Sequence, residues 1–241
     1  MINLFKRIKL IQMKVSVLIP VFNEENTVID LLKKVKEQGK GNVSLEVIVV
    51  DDCSTDRSRD LIEANADLYS SFIKLDKNLG KGGAVKRGLK AATGDYFLFQ
   101  DADLEYDPND YEKIFFTIKN FGAEVTIGSR NLSPEYIRVY NYFHKKGNNL
   151  ITGIFNFLYN TTFTDIYSCY LCIKRNTIDI NKIKSNGWEQ HAEILAMAIK
   201  NSKIHYEVPI SYSGRTFEEG KKIKGRHVFK VIYMIFKKRF I

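Results

Sequence analysis

The segment QDADLEYDP, residues 100–108, sets Asp101, Asp103, Glu105 and Asp107 at every second position after a short apolar run. Acids this close repel one another, and a hard cation would offset the repulsion. In extended backbone, positions i and i+2 point the same way. Asp101, Asp103 and Glu105 can therefore present oxygens to one Mg²⁺ or Mn²⁺, which prefers such ligands and keeps positions open for water and phosphate oxygens. A divalent ion held by two or three carboxylates is an incomplete site, and a diphosphate would complete it. Asp107, directly before Pro108, is instead placed to cap the next helix.

Two other stretches gather polar groups after apolar runs: PVFNEE, with Pro20, Asn23, Glu24 and Glu25, and VVDDCSTD, with Asp51, Asp52 and Asp56. Solvated loop acids are the plain alternative for any one of them. In NLGKGGAVKRGL, residues 78–89, glycines permit close backbone approach, and Lys81 would stand at a helix head beside free N–H groups suited to an anion. The string is neither a Walker motif nor GxGxxG. Arg130, after EVTIGS, is a further candidate for a phosphate.

The elements that must position these groups alternate. Apolar runs at 14–22, 45–52, 72–76, 96–103 and 124–129 are separated by segments with a 3.6-residue period: Val28, Leu31, Leu32 and Val35; Val85, Gly88, Leu89 and Ala92; Tyr111, Ile114, Phe115 and Ile118. Gly94 is a candidate helix stop. This is the pattern of a parallel sheet covered by helices. Ligands of such sheets bind outside the carboxyl ends of the strands. Three sets of acids at one rim therefore favour a common site over separate solvated loops. The second half is less regular, with a strand expected in YSCYLCIKR, a helix in EQHAEILAMAIKN and a strand in KIHYEVPISYS.

With 241 residues, 44% of them hydrophobic, the chain can bury a full core. The net charge of +9 is concentrated: residues 220–241 hold eight Lys or Arg and no acid, which leaves +1 for the rest. A broad basic groove for nucleic acid is therefore not supported, whereas a basic tail near anionic lipid is reasonable. Three scattered cysteines do not make a disulfide framework, and Cys169 with Cys172 is expected to be a pair of reduced core thiols, in keeping with the cytoplasm. No apolar run reaches bilayer-spanning length, the first twelve residues lack a signal-peptide core, and Met13 is a candidate start.

The strings VSVLIPVFNEE, EVIVVDDCSTD, NLGKGGAVKRGL, GDYFLFQDADLEYDP and VTIGSR, in this order, resemble glycosyltransferase family 2. Within that family the polyprenyl-phosphate mannose or glucose synthase branch is nearest. The likeness runs from residue 14 to about 225 and includes GWEQHAEILAMAIK and SGRTFEEG. It implies an α/β fold of GT-A type, a Rossmann-like, mostly parallel sheet flanked by helices, over residues 14–225. It also implies an inverting hexosyltransferase that takes a sugar from a nucleotide-diphosphate donor to a lipid-phosphate or glycan acceptor. By the resemblance, Pro20, Asn23, Glu24, Asp52, Lys81, Asp101, Ala102 and Asp103 would hold the nucleotide. Asp101, Asp103 and Glu105 would hold Mg²⁺ or Mn²⁺, and Arg130 and Arg215 would meet phosphate charge during transfer.

Glu189 and His191 are the candidate base or metal-shell positions, His191 drawing interest through a near-neutral pKa. They depart from the aromatic and acidic residues more usual there, and TDIYSCYLCIKR departs from the family's Ser-Gly and Arg, although Asp165 matches. A phosphate acceptor would need no base. The tail, residues 226–241, places Val228, Val231, Ile232 and Ile235 on one helical face beside Lys230, Lys237, Lys238 and Arg239. A membrane surface at the inner leaflet, the domain itself or a second subunit could receive that face. Rival readings are a nucleotidyltransferase, which would release pyrophosphate, and a non-catalytic nucleotide-binding module.

Overall fold

The structure, a computed structural model, describes residues 12–132, 142–215 and 227–241. The basic leader before Gln12, the residues after Arg215 in SGRTFEEG and the boundary at 225/226 lie outside the described residues.

The first half alternates as the periodicities predict: β1 (Met13–Val21), α1 (Val28–Lys36), β2 (Val43–Asp51), α2 (Ser58–Glu63), β3 (Ser71–Lys74), α3 (Lys81–Ala91), β4 (Tyr96–Phe99), α4 (Tyr111–Phe121) and β5 (Val125–Ser129). There follow α5 (Tyr142–Tyr159), β6 (Leu171–Lys174), α6 (Gln190–Lys200), β7 (His205–Pro209) and α7 (His227–Phe240). The strands form one seven-stranded sheet in the order β3-β2-β1-β4-β6-β5-β7. All pairings are parallel except those of β6, which runs against both β4 and β5. That reversal matters for the site. The carboxyl ends of the other strands share one rim, and the segment leading into β6 arrives at the same rim from its amino end.

The predicted helical faces are buried: Val28, Leu31, Leu32 and Val35 in α1, Val85, Gly88 and Leu89 in α3, and Ile114, Phe115 and Ile118 in α4. A Cβ on Gly88 would stand 3.2 Å from Leu18 and 3.3 Å from Val50, so this glycine lets α3 lie close on the sheet. Gly94 does not end a helix. Helix α3 stops at Ala91, and Gly94 instead donates its N–H to Ser16 Oγ at 2.8 Å, where a Cβ would collide with β1. Asp107 caps as expected, accepting from the N–H of Asn109 at 3.1 Å ahead of α4. Cys53, Cys169 and Cys172 are free thiols, with Cys172 inside β6 and Cys169 just before it.

Helix α6 is buried on nearly every side, and α7 packs on it and on α5. The tail face read from the sequence is the one turned inward: Val231 and Ile235 are buried, and Tyr159 of α5 donates to the Ile235 carbonyl at 3.0 Å. Among the described residues, no helix is long and apolar enough to cross a membrane.

Candidate active site

A cleft of about 610 Å³ opens at the rim where the parallel strands end. Of the residues singled out in the sequence, Pro20, Glu24, Asp52, Lys81, Asp101, Ala102, Asp103, Glu105, Arg130, His191 and Arg215 line it. Asn23 and Glu189 do not. Asn23, held at a φ of 54°, accepts from the Thr55 N–H at 2.8 Å and donates its own N–H to Ser54 Oγ at 3.1 Å. It thereby ties the loop after β1 to the loop after β2. Glu189 stands at the head of α6 with its carboxylate 3.4 Å from the Gly187 N–H.

The acids do not sit in an extended strand. Strand β4 ends at Phe99, and the chain bends beyond it because Asp103 Oδ1 accepts the Glu105 N–H at 3.2 Å. The bend still brings the three carboxylates to one wall of the cleft. Two cations oppose them. The Lys81 ammonium, at the head of α3, pairs with Asp101 and lies 5.0 Å from the centre of the Trp188 ring. Burial alone would neutralise both members, but each holds the other charged, so the Asp101 carboxyl is lowered and Lys81 is raised. Arg215 donates to Asp103 Oδ2 at 2.7 Å, to Glu105 Oε1 at 3.1 Å and to both Glu24 oxygens at 3.1 and 3.3 Å. Tyr212 donates to the other Glu105 oxygen at 2.9 Å. Negative charge remains in excess around Asp103, whose carboxyl is pushed up to about 7 by burial and by Asp101 and Glu105, against the pull of Arg215.

The glycines of 80–83 serve another part of the protein. A Cβ on Gly80 would lie 2.8 Å from the Asn186 carbonyl oxygen, and one on Gly82 2.7 Å from the Asn186 carbonyl carbon. The Gly83 N–H donates to that same carbonyl at 3.2 Å. The close approach the sequence reserved for an anion is thus used by the segment before α6, which sets Trp188 against Lys81. Asp52 also has a structural bond, accepting the Leu79 N–H at 2.7 Å, and burial lifts its carboxyl above the ordinary value.

Arg130 is clamped. It meets Asp165 through Nε at 2.6 Å and Nη2 at 2.9 Å, and its guanidinium lies 5.1 Å from the centre of the Tyr212 ring. His191 is half-buried with its Nε2 shielded from solvent, and its pKa falls to about 4 through desolvation and the nearby Lys81 charge. The near-neutral value expected from its type is therefore corrected: the ring is uncharged at neutral pH. Among the described residues, its Nε2 finds no hydrogen-bond partner, nor does Ser168 Oγ.

Several cleft residues were not legible as such. Tyr106, Tyr167, Trp188, Gln190 and Tyr212 line it, as do Gly147, Asn148 and Ile151 of α5 and Val228 and Val231 of α7. Aromatic and small residues carry no chemical signature in sequence, and only the reversed strand and the packed helices bring them to the rim.

Residues 16–179 match the model of Glycosyl transferase family 2. The chain is 30% identical over 229 residues to the dolichol-phosphate mannosyltransferase of Pyrococcus furiosus, a match covering 93% of this chain and 63% of that protein. It is 28% identical to the undecaprenyl-phosphate 4-deoxy-4-formamido-L-arabinose transferase of Proteus mirabilis, over 86% of this chain and 62% of the relative. The chain thus spans less than two thirds of the length of these two relatives. Among solved structures, glucosyl-3-phosphoglycerate synthase from Mycobacterium tuberculosis, in complex with Mn²⁺, UDP and phosphoglyceric acid, superposes with a TM-score of 0.71 at 18% identity, over 95% of this chain and 79% of that one. The S. aureus TarS 1-349 complex with UDP-GlcNAc gives 0.63 at 18% identity, over 94% of this chain and 66% of the other. The α/β architecture, a mixed seven-stranded sheet between helices, is that of these GT-A proteins.

Proposed function

The chain belongs to glycosyl transferase family 2, and we propose that it moves one sugar, with inversion, from a nucleoside-diphosphate sugar to a polyprenyl phosphate, assisted by Mg²⁺ or Mn²⁺. The observation that carries this reading is the meeting of Asp101, Asp103 and Glu105 with Lys81 and Arg215 along one wall of a cleft at the strand ends. The relatives' names, both transferases to or from polyprenyl-phosphate chemistry, support the acceptor class.

The donor set fits a hard divalent ion. Asp101 and Asp103 offer carboxylate oxygens; burial, then the neighbouring Asp101 and Glu105, raises the Asp103 carboxyl, and a bound cation would lower it again. Among the described residues, no group of three or more His, Cys, Asp or Glu is arranged to hold a metal ion by itself, so in this reading the donor's phosphates would have to supply the remaining ligands. When bound, the ion would act as a Lewis acid on the departing diphosphate.

The chain's own residues do the rest. Lys81 and Arg215 are charged and partly desolvated inside the cleft, so they would be at hand to stabilise phosphate charge once a bound metal takes over the acids they now pair with. Asp165 fixes the Arg130 guanidinium, which Tyr212 flanks, so that Arg130 would present a fixed positive face to the acceptor. An ionised acceptor phosphate needs no base. Glu189 does not line the cleft, and His191, with a pKa near 4, is a weak base; both accord with that, and His191 would orient rather than abstract.

The test is to incubate the protein with Mn²⁺, UDP- and GDP-sugars and a polyprenyl phosphate, and to identify the products. Sugar on the lipid and free nucleoside diphosphate are expected. Pyrophosphate released from a nucleoside triphosphate instead would mean a nucleotidyltransferase. Absence of any metal-dependent melting shift with UDP, GDP, CDP or dTDP would leave a non-catalytic module.

A further inference from the structure

Residues 184–189, between β6 and α6, form neither helix nor strand, yet their backbone is held by partners from three parts of the fold. The Glu193 carboxylate of α6 accepts the N–H groups of Lys184 at 3.1 Å and Ser185 at 2.8 Å. The Asn186 carbonyl accepts from Gly83 of α3 at 3.2 Å, and the Trp188 carbonyl accepts from the Tyr167 hydroxyl, ahead of β6, at 3.2 Å. What this fixed coil carries into the cleft is the indole of Trp188, the chain's single tryptophan.

The Lys81 ammonium lies 5.0 Å from the centre of that ring, within the range of a cation–π contact, and it also pairs with Asp101. Lys81 is the first residue of α3, so the helix fixes its backbone, but its charge rides on a flexible four-carbon stem. Asp101 alone cannot keep the ammonium in place during a reaction that engages Asp101 with a metal ion. An aromatic face can. Its attraction does not depend on the carboxylate and is stronger where water is excluded.

We propose that Trp188 is a positioning residue for Lys81, its ring keeping the ammonium turned toward the donor's diphosphate when Asp101 is engaged elsewhere. The proposal rests on the transfer function inferred above, because it takes Asp101 as a metal ligand and Lys81 as a diphosphate contact. The joint between the two residues is close. Neither Gly80 nor Gly82 has room for a Cβ against Asn186, so the helix head that carries Lys81 and the coil that carries Trp188 seat directly on each other. The competing reading is that Trp188 stacks on the sugar or the base by itself. Both readings predict weaker binding without the indole, but only the first routes that loss through Lys81.

A double-mutant cycle on nucleotide affinity separates them, read by calorimetric titration of UDP and of GDP with Mn²⁺ present. Trp188→Leu is expected to weaken binding about tenfold, and Trp188→Phe, which keeps a π face, to retain most of the affinity. In a Lys81→Met background, Trp188→Leu is expected to change affinity by less than about twofold. Equal losses in the two backgrounds overturn the proposal, as does a Trp188→Phe variant that binds no better than Trp188→Leu. A second measurement needs no ligand: the fluorescence of this single indole should change in Lys81→Met, and unchanged emission would place the ammonium away from the ring. Binding that follows the cycle in a protein that transfers no sugar would count against the transfer function alone. Failure of the wild type to bind either nucleotide would overturn both.

Discussion

The Arg215 guanidinium lies 2.7 Å from Asp103, in the middle of a set of acids drawn from two separate loops. With Glu24 on one side and Glu105 on the other, one cation stands where three carboxylates converge. In the proposed reaction, the metal of a donor complex would bring positive charge to the same place.

Replacing Arg215 by Met should leave those acids facing one another in partial burial. Breaking such an array costs about 3 kcal/mol. Added Mn²⁺ should recover part of the loss, so the melting shift on adding Mn²⁺ should be larger in the variant than in the wild type. An equal shift in both would argue that the acids are not the cation site.

Asp103→Asn should behave in the opposite way. It removes one of three repelling charges, so thermal stability should hold or rise, as expected where function is built at a cost in stability. Transfer should fall by about a hundredfold or more, the usual scale for losing one preorganised electrostatic group. A variant with normal turnover would remove Asp103 from the mechanism.

Lys238 and Glu193 join α7 to α6 at 2.7 Å, with Glu193 fully buried. The same carboxylate accepts the N–H groups of Lys184 and Ser185, directly before the Asn186 that seats against α3. Lys238→Met would strand a buried charge, and chemical denaturation should register a loss of about 3–5 kcal/mol. An effect under about 1 kcal/mol, the range of an exposed pair, would show that α7 is not anchored there.

Acid sensitivity should trace in part to Glu46. Burial would raise its carboxyl, but donors from Lys14, Ser16 and Thr93 outweigh burial and bring it down from 4.5 to about 2. A folded-state pKa below the unfolded one contributes stability above the unfolded value. That contribution disappears as the pH falls through 4.5 toward about 2. Urea denaturation across this window should therefore show a shallower acid decline for Glu46→Gln than for the wild type.

Two glycines make a paired test of packing. In Gly82→Ala the new methyl would meet Asn186 and Gln190 at under 3 Å, and overpacking of this kind costs about 1–3 kcal/mol. Gly147, in α5, has nothing within 4 Å of an added Cβ, so Gly147→Ala should gain up to about 1 kcal/mol in helix stability. Melting temperatures moving together in the two variants would contradict these contacts.

Much of this was readable one residue at a time. The alternation of apolar runs with helical periods, the acids at the strand ends and the cap at Asp107 are local patterns, set by side-chain periodicity and backbone hydrogen bonding over a few positions. They suffice for an α/β sheet and for the rim where its ligand would sit. What the tertiary structure alone decided depends on contacts between distant segments. The glycines near Lys81 accommodate Asn186, more than a hundred residues away in sequence. Desolvation takes His191 out of the neutral titration range. The reversed β6 delivers Asp165 and Ser168 to a rim otherwise made by parallel strands. And α7, whose sequence displays one apolar stripe in plain view, shows a second, aromatic one of Phe229, Tyr233, Phe236 and Phe240 only after the first has been covered, because exposure is a property of the packed molecule and not of the residue.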